Sequence, residues 1–333
     1  MLSLHTINFA HLGAYCAVGL VLVSCAGSTP GEGSRPLSES TVVVVAGTFD
    51  SGTVKSGPGI DAAPLTGPCA LSVLPGGSLL VADCKTGYLL RLSPGGVVEQ
   101  AVRVSSPEGA SLIRTPRFMR SDPGGNVYLS DGLDDRIAVY DSRMRPLSDL
   151  VPPYGGLSIP PGQLGGMAVD PYGEITVADL SNRCVYRFDA GGRFLSVVSG
   201  DESQWARLSR PAALAASESD GSIYVADPGD RRIVVFDNTG SARLSFGETD
   251  LRDPAAIALG PRSQVYVADP AQHAIVVFSR SGRLAGHIDA ERLGLPGVIR
   301  PTDVAVDDST VYVADPDNGR VLALRFREDE TDK

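Results

Sequence analysis

The chain has 333 residues and a formal net charge of −10. That length suits one large domain or two ordinary ones, and the acidic balance argues against nucleic acid, whose phosphates require a basic footprint. Glycine (38) and proline (24) are plentiful and aromatics make up only 6%, which predicts many short strands broken by turns.

Residues 1–24 contain no Asp, Glu, Lys or Arg. The apolar residues 12–23 are too few for a comfortable bilayer span and suit the hydrophobic region of an export signal. The run closes on Leu22, Val23, Ser24 and Cys25, which resembles the lipobox of bacterial lipoproteins. That resemblance implies removal of residues 1–24, lipidation of Cys25 and a membrane anchor in the cell envelope. An ordinary secretory signal that happens to include a cysteine is the alternative. Ala26 stands where some bacteria place an aspartate for inner-membrane retention, so the outer membrane is favoured. Residues 26–40 (AGSTPGEGSRPLSES) are rich in Gly, Ser and Pro and read as a flexible tether. The expected division is signal 1–24, tether 25–40, folded domain 41–326 and charged tail 327–333.

Further on, one phrase recurs. SIYVADPGDRRIVVF begins at Ser222, QVYVADPAQHAIVVF at Gln264 and TVYVADPDNGRVLAL at Thr310. The aspartates of Val-Ala-Asp are Asp83, Asp179, Asp227, Asp269 and Asp315, with Asp131 in the variant Leu-Ser-Asp; their spacings are 48, 48, 48, 42 and 46. Periods of this size mark solenoids, propellers or arrays. Each copy runs in the same order: an apolar stretch, a turn such as Pro75-Gly76-Gly77, a strand ending in the Asp, a polar loop, a third apolar stretch, a second turn such as Ser93-Pro94-Gly95-Gly96, and a fourth strand. Four antiparallel strands repeated about an axis are propeller blades. The sixth copy has only three strands before the end REDETDK, and residues 41–46 (TVVVVA) supply an orphan strand ahead of the first copy. The expected fold is all-β, a six-bladed β-propeller of four-stranded antiparallel blades whose last blade is closed by the N-terminal strand. Closure removes exposed sheet edges.

The copies resemble NHL repeats over residues 41–326. Tyr128, Tyr224, Tyr266 and Tyr312 stand three before the Asp; Asp134, Asn182, Asp230, Gln272 and Asn318 stand three after; Arg136, Arg232 and Arg320 stand five after. Thr86, Tyr88, Cys184 and Ala274 depart from that pattern.

An Asp that ends a strand before a tight loop accepts main-chain N–H bonds from it. The six repeat aspartates therefore read as structural locks rather than a ring of metal ligands. Arg210, Arg252 and Arg300 precede first strands, and Arg114 and Arg117 flank Pro116. First strands lie nearest the axis, so these arginines gather at one channel mouth. There they either bind an anionic ligand or acidic peptide or neutralise neighbouring repeat aspartates. The same face carries the long connections, residues 47–67 and 200–210 (GDESQWARLSR), the second holding the single tryptophan, Trp205. A lone Trp in a polar loop is either a contact anchor or a filler between loops; Tyr154 in VPPYGG is of the same kind.

Cys69 and Cys84 flank the first hairpin, whose midpoint falls in the turn. An unbulged hairpin makes them cross-strand neighbours and candidates for a disulfide, which export permits; two buried thiols are the alternative. Cys184 reads as buried. Beyond the signal only His273 and His287 are present, which rules out a three-histidine zinc site and gives no histidine base at the axis. No cofactor is expected. A calcium site of acidic and amide oxygens stays open, with Asp303 as the nearest candidate on a first strand; otherwise Asp303 is a hydrogen-bonded carboxylate. The expected function is a non-catalytic, lipid-anchored envelope scaffold that recognises a partner protein, peptide or glycan through its long-loop face. The alternative is an envelope hydrolase or lyase, lactonase-like, with a carboxylate-bound divalent metal at the channel mouth.

Overall fold

Strands that end in Val-Ala-Asp are buried at every residue in Leu79–Asp83, Ile175–Asp179 and Ile223–Asp227. A strand reads this way when it has a partner on each edge and a packed layer on each face. The computed structural model describes residues 40–47, 65–104, 116–131, 137–147, 149–150, 163–200, 204–260 and 264–326.

The strands run β1 (Ser40–Gly47), then β2 (Pro68–Val73), β3 (Leu79–Asp83), β4 (Tyr88–Leu92) and β5 (Val98–Arg103) in blade one. Blade two holds β6 (Pro116–Ser121), β7 (Val127–Asp131) and β8 (Ile137–Tyr140). Blade three holds β9 (Leu164–Val169), β10 (Ile175–Asp179), β11 (Cys184–Phe188) and β12 (Phe194–Val198). Blade four holds β13 (Ala213–Ala216), β14 (Ile223–Asp227), β15 (Arg232–Phe236) and β16 (Ala242–Phe246). Blade five holds β17 (Ala256–Gly260), β18 (Gln264–Asp269), β19 (Ala274–Ser279) and β20 (Leu284–Asp289), and blade six β21 (Asp303–Val306), β22 (Thr310–Asp315) and β23 (Arg320–Phe326). The innermost strands β2, β6, β9, β13, β17 and β21 touch in succession, and β21 meets β2 again. The fold is an all-β six-bladed propeller. Its sixth sheet has the order β1-β23-β22-β21, and β1 pairs antiparallel with β23 from Ser40↔Phe326 to Gly47↔Arg320. The N-terminal strand thus completes the last blade.

Blade two departs from the expected four strands. Its sheet is β6-β7-β8, and the fourth strand is reduced to isolated bridges, Ile137↔Leu150 and Tyr140↔Pro146. Pro146 has no N–H to donate, so the ladder cannot run through it.

Apolar clusters join adjacent blades in pairs: one and six around Leu71 and Tyr312, five and six around Ile275 and Leu322, four and five around Val235 and Phe278, one and two around Leu80 and Met119, three and four around Val185 and Phe236, two and three around Ile137 and Tyr186. With cores between blades rather than within them, a single copy has no partner on which to bury its apolar faces. At the axis the blades approach closely. A Cβ on Gly166 would lie 2.6 Å from Ala213 Cα, and the Gly166 N–H donates to Ala212 O at 2.6 Å.

Candidate functional site

Chain direction puts the loops after the repeat Asp and the loops entering each first strand on one face. On that face Asp83, Asp179, Asp227, Asp269 and Asp315 are fully buried. Asp83 accepts from the N–H groups of Thr66 (2.6 Å), Gly67 (2.8 Å), Lys85 (3.0 Å) and Thr86 (2.9 Å). Asp227 accepts from Ser209 N (2.9 Å) and Arg210 N (2.7 Å), Asp269 from Arg252 N (2.7 Å), and Asp315 from Arg300 N (3.0 Å). Asp83, Asp227, Asp269 and Asp315 each hold the segment leading into the first strand of their own blade, whereas Asp179 accepts from Asn182 and the Tyr186 hydroxyl. Burial raises the Asp227 carboxyl above its ordinary value, and the N–H bonds from Ser209 and Arg210 oppose that. Four residues past the Asp the backbone is left-handed in every described copy: Gly87 (φ 72°), Arg183 (57°), Arg231 (55°), His273 (56°) and Gly319 (60°). His273 therefore fills a conformational slot of the loop and is exposed. His287 lies on the outer strand β20, opposite Val276.

Arg232, five past Asp227, is 8% exposed. Its guanidinium donates to the carbonyls of Trp205 and Arg207, the latter at 2.7 Å, and to Asp230 at 3.1 Å. The turn at Gln204–Ala206 is thereby pinned, while the Trp205 side chain is 47% exposed. Arg210 and Asp253 pair at 3.4 Å, as do Arg300 and Asp317. Arg117 lies near both partners of the first pair: desolvation and then the Arg210 charge hold its guanidinium below the ordinary range, with Asp253 opposing. Arg117 also sits 5.6 Å above the Phe118 ring. Arg252 is exposed. The expectations for Cys25, Arg114, Tyr154 and the Asp131 carboxylate lie outside the described residues.

Cys69 and Cys84 are joined by a disulfide with a Cα–Cα distance of 5.9 Å. The hairpin is bulged, however: the register shifts between Pro68 and Ala70, placing Cys69 at the irregularity. Cys184 is buried on β11.

The axis breaks the repeat. Opposite the residue three before each Asp, the first strands carry Ser72, Arg120, Ala168, Ala215, Ala258 and Ala305. Five are small and one is arginine. Opposite the residue one before the Asp, blade six carries Asp303 where blades one, four and five carry Ala70, Ala213 and Ala256. The two exceptions meet, Arg120 Nη1 lying 3.4 Å from Asp303 Oδ2. Arg120 Nη1 also faces Leu71 O (3.2 Å) and Met119 O (2.6 Å), and Nη2 faces Ile257 O at 3.4 Å. One guanidinium links blades one, two, five and six. Asp303 is fully buried and accepts from Leu71 N (2.8 Å) and Val304 N (2.9 Å). Burial pushes its carboxyl up, and Arg120 works against that. Phe118, two residues nearer the loop face, is 3% exposed and belongs to the apolar cluster of blades four and five. Neither blade adjoins its own, so its ring crosses the channel. Sequence reasoning named Asp303 but missed Arg120 and Phe118. The signal for Arg120 was available: a single long cation in a column of small residues.

Beyond the ion pair, on the side of the first-to-second-strand turns, a cavity of about 200 Å³ is lined by Ser72, Arg120, Ser121, Val169, Glu218 and Leu259 among others. Among the described residues no three His, Cys, Asp or Glu side chains come together as a metal-ligand set.

The class defined by this geometry is a six-bladed propeller with a channel blocked midway by an ion pair. No family model matches the chain, and no curated protein matches it. Solved structures do. A virginiamycin B lyase from Staphylococcus aureus is 13% identical with a TM-score of 0.58, over 79% of this chain and 96% of that one. A catalytically inactive variant of the Staphylococcus aureus lyase with quinupristin is 12% identical with a TM-score of 0.60, over 87% and 100%. A gluconolactonase from Xanthomonas campestris is 15% identical with a TM-score of 0.62, over 87% and 91%. At such identities the likeness is one of fold.

Proposed function

We propose that the chain is a non-catalytic, NHL-type propeller of the bacterial envelope, anchored through lipid on Cys25 and favouring the outer membrane. It recognises a partner protein, peptide or glycan through its loop face. The observation that carries this reading is Trp205, an exposed indole on a turn whose main chain is pinned by buried Arg232. A large aromatic presented on an already ordered turn loses little conformational freedom when it binds. The charged residues near Phe118, namely Arg117, Arg210 and Asp253, give polar contacts on the same face. The Arg120–Asp303 pair supports a binding role over acid–base chemistry at the axis, because each group is committed to the other and to main-chain partners.

Capture of envelope proteins and glycans on the native chain tests this. Trp205→Ala is expected to lower recovery of the specific partner by about tenfold or more, with the melting temperature unchanged. Equal recovery on Trp205→Ala and on Arg117→Glu would sink the reading. Cys25→Ser is expected to abolish incorporation of labelled palmitate and to release the chain from the membrane fraction.

The second reading, a hydrolase or lyase using a divalent metal, is favoured by the likeness to a gluconolactonase and to virginiamycin B lyases. A stoichiometric metal that raises the melting temperature, with loss on chelation, would replace the first reading by this one.

A further inference from the structure

We propose that the cavity beyond the ion pair binds a small zwitterion with a carboxylate and an ammonium on one carbon, of the size of an aliphatic amino acid. A guanidinium has five N–H donors. Two of those on Arg120 belong to Nη1 and face Leu71 O, Met119 O and Asp303. One on Nη2 faces Ile257 O at 3.4 Å. Nε–H and the second Nη2–H have no acceptor among the described residues. Nε–H and the Nη2–H beside it form one edge of the planar group, and the only bond at that edge among the described residues is the long one from Nη2 to Ile257 O, so the edge can grip a carboxylate in a bidentate fork. Arg120 lines the cavity and its side chain is 17% exposed.

Charge selects the rest of the ligand. The Arg120 cation is already balanced by buried Asp303, and Glu218 adds an exposed carboxylate to the lining. Glu218 has no partner among the described residues. A plain anion gains the fork but meets Glu218; a ligand carrying an ammonium satisfies both. Val169 and Leu259 give apolar wall for a short side chain. The Ser72 and Ser121 hydroxyls bond each other at 3.0 Å, and Ser121 donates to Val73 O at 2.9 Å. Both hydroxyl protons are thereby used, leaving Ser72 Oγ lone pairs for a ligand N–H. The site is on the opposite face from Trp205 and does not depend on the partner proposed there.

Titration calorimetry on the purified full chain with L-valine, isobutyrate and isobutylamine tests the assignment. Valine is expected to bind with a dissociation constant of about 1 mM or tighter, and either half-ligand about tenfold more weakly. Glu218→Gln, an exposed change, should erase the preference of valine over isobutyrate without moving the melting temperature. Arg120→Lys keeps the charge, removes the fork and should weaken valine by about tenfold or more. Leu259→Trp fills the cavity from its wall and should abolish binding, which keeps the test open if Arg120→Lys unfolds. No saturable heat with any probe up to about 50 mM, or valine binding indifferent to both Glu218→Gln and Leu259→Trp, overturns the proposal and leaves a channel that holds only water.

Discussion

Two kinds of buried aspartate divide the propeller. Asp83, Asp179, Asp227, Asp269 and Asp315 end equivalent strands, and Asp303 begins the innermost strand of one blade; all are fully buried. The first kind answers its charge within its own blade, with main-chain N–H groups of the next loop or the entering segment and with the nearby side chains of Asn182, Gln272, Asn318 and Arg320. The second is answered by a guanidinium that crosses the channel from blade two. A carboxylate needed in every blade uses partners that its own repeat supplies, which are main-chain N–H groups and the side chains three and five residues further on. A carboxylate present once is free to depend on one distant side chain. Periodic charge therefore fixes the unit, and aperiodic charge fixes how units stand around the axis.

The largest expected effect tests whether the axis depends on ring closure at all. Deleting residues 40–47 removes the strand paired with β23 along its whole length and leaves that edge open. Cooperative thermal unfolding is expected to vanish; a variant that melts as one unit at the parent temperature would show that the axis holds without closure. Next is Arg120→Ala, which strands Asp303 as a buried, unpaired charge and is expected to cost about 3–5 kcal/mol in denaturant unfolding. Arg120→Met combined with Asp303→Leu removes both charges and should recover most of that loss. Asp227→Ala comes third, at about 1–3 kcal/mol, because the Ser209 and Arg210 N–H groups lose their acceptor near the surface and water reaches them. A cost for Asp227→Ala well above that for Arg120→Ala would invert the comparison.

The periodic part of the molecule was legible from sequence because it repeats. Six copies of one phrase, a missing fourth strand at one end and an orphan strand at the other defined the ring and its closure. Blade two was misjudged because one proline outweighs the pattern of its copy. The left-handed slot after the Asp was hidden for a similar reason: Gly87 and Gly319 suggest it, but Arg183, Arg231 and His273 occupy it without glycine. The axis was least legible. Asp303 was noticed as a departure, yet its partner lies 183 positions away. Only a closed ring brings those first strands together, and only a side chain as long as arginine spans the gap. Phe118 escaped notice because an apolar residue on an inner strand looks like ordinary core until its cluster proves to be that of distant blades.

The slot supplies a smaller test on the periodic side of the comparison. Arg231 holds φ at 55°, a conformation that costs a side-chain-bearing residue about 1 kcal/mol. Its side chain is exposed, so Arg231→Gly is expected to stabilise by up to about 1 kcal/mol in urea unfolding, whereas the same change at a loop position with ordinary φ should destabilise.

The smallest effect contrasts a fully buried carboxylate with a half-buried one in a turn, through their response to acid. Asp237, in the turn between β15 and β16, accepts from Thr239 N, Ser241 N and Thr239 Oγ1 and pairs with Arg243. These contacts, the Thr239 hydroxyl first, lower its carboxyl to about 2. An unfolded aspartate titrates near about 3.9. A lowered folded value means the unfolded chain binds the proton first, so the contribution to stability is complete above about pH 4 and is lost as pH falls toward about 2. Asp303, raised by burial, has the opposite sign: its ionisation opposes folding above its folded value, and protonation relieves that cost as pH falls through it. Asp237→Asn should therefore lower the urea midpoint near pH 6 and match the parent near pH 2, where the parent's carboxylate is itself mostly protonated in the unfolded chain and half protonated in the folded one. A midpoint difference that stays constant across that range would mean that the turn owes its stability to shape, and that the charge of Asp237 adds nothing to it.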